Sequence, residues 1–152
     1  MRLLNSVLLA GLLLAAGAGC AALTKQISKV APLPDQGTTA SDPDKARIYV
    51  MRCTSWLACR EPATVWDQQM KIGSTGHHGY LCWERDPGDT VVRVFCLHGA
   101  PVALPIKCEK GHTYFVSHTL KQRVGLDRLV LTLMPEDEGR QELARHKPPK
   151  ML

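Results

Sequence analysis

Hydrophobic positions fall into two regimes along this chain. Leu3 to Leu14 is an almost unbroken apolar stretch, followed by the small residues Ala15, Ala16, Gly17, Ala18 and Gly19. From Ala46 onward, short segments rich in β-branched and aromatic residues are separated by turn residues, a pattern of strands. Ala46–Arg52 contains no breaker, and Thr64–Trp66 and Met70–Ile72 flank Asp67-Gln68-Gln69, a tight hairpin. Tyr80–Glu84 and Thr90–Cys96 lie on either side of Asp86-Pro87-Gly88, where proline presets φ and glycine accepts positive φ. Val102–Cys108 and Thr113–His118 flank Glu109–His112, and Leu129 to Leu133 alternates as a last strand. Glu136–His146 is the one helical candidate, weakened by Gly139. The expectation is an all-β fold, a small β-sandwich of about seven to eight short antiparallel strands with a short C-terminal helix at most.

The apolar block is too short for a membrane span, which needs about 20 apolar residues. Preceded by Arg2 and ending in small residues before Cys20, it has the pattern of a bacterial lipoprotein export signal. Cleavage would leave Cys20 as the lipid-bearing first residue. An ordinary secretory signal is the competing reading, and Gly17 departs from the leucine usual three places before the cysteine. Ala21 in place of aspartate points to the periplasmic face of the outer membrane.

Residues 1–19 are thus read as a leader and 20–45 as the lipidated cysteine with a flexible tether. Residues 46–146 form one domain, and 147–152 a disordered tail. The tether carries Pro32, Pro34, Gly37 and Pro43 without period and would span about 25–30 Å as a coil. Net charge is +5, or +4 once Arg2 is removed, and basic residues are scattered. Nucleic acid binding usually needs a clustered basic face, and none is present.

Five cysteines follow Cys20, and an exported domain should pair them where geometry allows. Spacing leaves the connectivity open. Cys53 with Cys59 would staple a loop carrying Trp56 and Leu57, a candidate contact patch, although Trp56 folded back on the core is an equal alternative. Cys96 and Cys108 each end an apolar strand face and are expected opposite each other, which leaves Cys82 as the candidate free thiol. There is no Cys-x-x-Cys, no Gly-x-Ser-x-Gly, no His-Glu-x-x-His and no paired-cysteine zinc knuckle. His77 and His78, as neighbours on a strand, would point to opposite faces. No catalytic residue, metal or cofactor is therefore expected.

The order of the segments resembles the lipoproteins described as domain of unknown function 2846. The likeness runs through Ala46–Arg52, Val65-Trp66-Asp67, Lys71-Ile72-Gly73, Gly79-Tyr80, Pro87-Gly88-Asp89, Gly111–Phe115 and the acidic Glu136–Leu143. It spans residues 46–143; the cysteines and the Cys53–Cys59 loop depart from that family's pattern. The resemblance implies a β-sandwich on a lipid tether, with no assigned catalytic residues. The function expected is a non-enzymatic, membrane-anchored envelope lipoprotein that binds an envelope protein or cell-wall material. The alternative is a metal or small-ligand binder using Cys82, His77 and His78, or His112 and His118.

Overall fold

The computed structural model describes residues 31–32, 41–53, 62–96, 100–123 and 126–147. In chain order the strands are β1 (Ala31–Pro32), β2 (Ala46–Arg52), β3 (Ala63–Asp67), β4 (Met70–Thr75) and β5 (Tyr80–Arg85). They continue with β6 (Gly88–Phe95), β7 (Val102–Cys108), β8 (Thr113–Arg123) and β9 (Leu126–Met134), and the helix α1 (Glu136–Leu143) follows. A five-stranded sheet, β1-β5-β2-β8-β9, faces a four-stranded sheet, β4-β3-β6-β7. This is the expected all-β sandwich with a short C-terminal helix.

Burial explains which segments alternate. In β3, Ala63, Val65 and Asp67 are buried while Thr64 and Trp66 are half-exposed; in β6, Thr90, Val92 and Val94 point inward. The four-stranded sheet therefore has one dry face. In contrast, β2 is buried at every position. Its Ala46, Ile48 and Val50 join Val65, Trp83, Val92, Val94, Ile106 and Val116 between the sheets. Its Tyr49 and Met51 join Tyr80, Cys82 and Phe115 on the other side, with Leu143 of α1 packed against them. A strand covered on both faces reads as continuous apolar sequence.

Among the described residues only β3–β4, β6–β7 and β8–β9 are hairpins; β2 and β8 pair in parallel, which corrects the expectation that all strands run antiparallel. The turn before Gly88 and the one at Glu109–His112 carry the chain from one sheet to the other. Gly88 (φ 132°) and Gly111 (φ 73°) occupy backbone that side chains rarely adopt. Turn residues report that the chain bends, and they leave open whether the next strand pairs with the last.

Four expectations are corrected here. Ala31–Pro32, placed in the tether, pair with Glu84 and Trp83 at the edge of the five-stranded sheet. Lys147, placed in a disordered tail, donates its backbone N–H to His78 O at 2.9 Å. The helix ends at Leu143, short of His146, and β8 and β9 run past the limits expected for them. Gly139 is a contact point in the helix: a Cβ there would lie 2.2 Å from Phe115 Cγ. Its bareness lets α1 lie on Phe115, which stacks on Tyr49 at 5.2 Å between ring centroids. Among the described residues no helix is long and apolar enough to cross a membrane.

Candidate functional site

Strand register defines two ends of the sandwich. Ala46 pairs with Arg85, Arg47 with Thr113 and Gly88 with Cys108, so these residues share one end. Arg52 pairs with His118 and Met51 with Tyr80 at the other. At the first end the buried Asp67 carboxylate accepts from Trp83 Nε1 at 2.7 Å, Arg85 Nη1 at 2.7 Å and Thr90 Oγ1. That network fastens β3 and β6 to β5 across the core. Every group in it has a protein partner, so it serves structure.

The second end is different in kind. Cys53 directly follows β2, Glu142 sits in the last turn of α1, and His146 lies just beyond the helix. One candidate ligand atom from each lies within 4.8 Å of the others. His146 is buried, and Cys53 and Glu142 are half-buried. The arrangement depends on α1 lying flat on Phe115 and on a bridge that joins Lys147 to Gly79. His146 Nδ1 is 2.8 Å from Glu142 O and its Nε2 is 3.0 Å from Arg52 O. Carbonyls only accept, so each of these bonds forms when its ring nitrogen carries the hydrogen. Glu142 Oε1 lies 3.8 Å from Nδ1. Burial, then the Glu142 and Glu138 charges, push the Cys53 thiol up to about 12.

Histidines surround this corner. The His78 ring lies 6.0 Å from that of His146, and the His77 ring 4.2 Å from that of His78. His78 has φ 52°, a left-handed turn conformation, so the strand rule does not apply. This corrects the expectation that the two rings point apart. Deeper in, His118 Nε2 is 3.1 Å from Thr75 Oγ1, and Arg52 Nη1 donates to Thr75 O at 3.1 Å. Burial, with the Arg52 and His146 charges behind it, pushes His118 down to about 3.

The sequence-predicted sites distribute unevenly. Cys96 and Cys108 do not meet: Cys108 pairs with Gly88, whereas Cys96 lies past Phe95 at the opposite end. An antiparallel hairpin brings together residues equidistant from its turn, and these two are not. Cys53 and Cys108 are free thiols, and Cys59, the partner expected for Cys53, falls outside the described residues. Cys82 is buried beneath α1 opposite Tyr49, and burial pushes its thiol up to about 11. Among the described residues Cys82 belongs to no group of three potential metal ligands. His112 is exposed near the Asp67 end and His118 is buried near the other, six strand residues or roughly 20 Å away. They cannot share an ion. Cys20, Trp56 and Leu57 lie outside the described residues.

A surface that sequence reasoning missed lies on the outer face of the four-stranded sheet. Trp66 and Phe95 meet edge to face with ring centroids 6.2 Å apart, and Phe95 is 39% exposed. Val91, Arg93, Ala103 and Pro105 continue this face by register. The available signal was the alternation Thr64-Val65-Trp66, which turns Trp66 outward once Val65 is placed inward. The equivalent face of the five-stranded sheet is covered by α1. No protein-family model and no curated protein matches this chain.

Proposed function

We propose that this chain is a non-enzymatic lipoprotein of the bacterial envelope, anchored through lipid on Cys20. Its β-sandwich is a binding module at the periplasmic face of the outer membrane. The anchor rests on the apolar leader that ends in small residues before Cys20, and on the motif order resembling lipoproteins of domain of unknown function 2846. The binding role rests on the Trp66–Phe95 face. Two aromatic side chains are held side by side on a rigid sheet and left open, the residue type and setting of interface anchors. The β7 edge of the same sheet suits a partner less well. Strand β7 carries Pro105, which lacks the N–H that an added strand would need there. The partner, another envelope protein or cell-wall material, therefore meets the face.

Two measurements test the reading. Cells grown with labelled palmitate should label the wild-type chain, and Cys20→Ser should lose both label and membrane association. Recovery of an unprocessed chain from the cytosol would sink the anchor. Photo-crosslinking from position 95 should trap an envelope component. The double variant Trp66→Ser and Phe95→Ser, melting normally, should lose that partner; an undiminished yield would remove the face from consideration.

A further inference from the structure

We propose that Cys53 Sγ, a Glu142 carboxylate oxygen and a His146 ring nitrogen together bind one borderline-soft divalent cation, for which zinc(II) is the best match. The inference stands apart from the lipid anchor and the aromatic face. Its basis is the convergence of three different donor types from three places in the chain, all within 4.8 Å. Thiolate and imidazole suit zinc and its neighbours, and select against the hard calcium and magnesium ions.

Binding requires His146 to give up one of its two carbonyls, Glu142 O or Arg52 O, and turn that nitrogen to the ion. Tetrahedral zinc, with Zn–S near 2.3 Å and Zn–N or Zn–O near 2.0–2.1 Å, sets its donors roughly 3.3–3.6 Å apart. Closing from the present spacing takes a movement of about 1 Å, within a rotamer adjustment of the half-buried Cys53 and Glu142. Glu142 and His146 stand four residues apart at the end of α1, so both reach the same side. The ring also has its orienting bond in place. Whichever nitrogen turns to the ion, the other keeps a carbonyl, Glu142 O or Arg52 O, the outer hydrogen bond that metal-bound histidines ordinarily make.

Charge favours a cation at this point. The Glu142 and Glu138 carboxylates both act on Cys53 and supply negative charge at this corner. On binding, the ion would displace the Cys53 proton to solvent. Three protein ligands leave a fourth position for water or for His78, whose ring lies 6.0 Å from that of His146. A site of this form holds an ion with one exchangeable place.

The full chain, purified without an affinity tag, stripped with chelator and kept reduced, should be titrated with cobalt(II) and then zinc(II). The result expected is one cobalt per chain, with a thiolate-to-cobalt charge-transfer band and tetrahedral visible bands, displaced by one zinc. Cys53→Ser should abolish the band and weaken zinc by at least about 100-fold, the upper end of what loss of an outer-shell partner costs. Glu142→Gln should weaken zinc and keep the band, and Cys82→Ser should change neither. Thermal melts would show that each variant folds. A wild-type chain without the thiolate band, or a band that survives Cys53→Ser in the folded protein, overturns the proposal.

Discussion

At one end of the sandwich three donors converge on a single carboxylate, Asp67; at the other, Arg52, His118 and His146 crowd around carbonyls and one hydroxyl. The first arrangement is closed: an acceptor and its donors are matched, and nothing further is needed. The second gathers nitrogen groups from separate segments, with Glu142 Oε1 3.8 Å from His146 Nδ1 and Cys53 beside it. Both ends bury polar atoms at similar depth. Satisfied pairing marks a structural joint, whereas donors converging from separate segments mark a site.

The largest expected effect comes from breaking the closed end. Asp67→Ala leaves Arg85 buried without its counter-charge and strands the Trp83 N–H, and should cost about 3–5 kcal/mol. Urea denaturation would measure it, and a loss below about 1 kcal/mol would contradict the structural role assigned to that network. Next is the helix that carries Glu142 and His146 to the open end. Gly139→Ala drives a methyl into Phe115 and should destabilise by about 1–3 kcal/mol despite alanine's better helix propensity. It should also weaken cobalt binding by displacing Glu142, which separates the two ends in one variant.

Acid should affect the open end. His118 titrates near 6.5 when unfolded and near 3 when folded, so the native state resists taking up its proton. The stability is complete above about pH 6.5 and falls as pH drops toward about 3, at no more than about 1.4 kcal/mol per unit. Denaturation midpoints at pH 7.5 and 5 should differ, and His118→Gln should flatten the difference; an unchanged slope would remove His118 as its cause. The smallest effect belongs to the exposed Arg140–Glu136 pair on α1. Arg140→Ala should cost about 0.3–0.5 kcal/mol, less in high salt, with both ends left unchanged.

Much of the fold was legible because strands and turns are local. Alternation located β3 and β6, the Asp67–Gln69 turn located a hairpin, and the acidic start located α1. The double burial of β2 was written in its apolar run Ile48–Met51, but the reason, a helix on one face, was not. The cysteines misled because their spacing was read without a register: placing Cys96 against Cys108 requires knowing which residues face each other across the turn. The Cys53–Glu142–His146 corner left no motif, since Cys53 stands 89 residues before Glu142.

By itself the sequence determined the strand-rich character, the sites of chain bending and the apolar stretch before Cys20, because each depends on residues a few places apart. Only the tertiary structure decided that β2 pairs in parallel with β8, that Trp66 and Phe95 share an open face, and that α1 returns its last turn to Cys53. Those outcomes depend on which surfaces must be buried together. Side-chain period fixes how a segment alternates, but the choice of partner is made by the whole core at once.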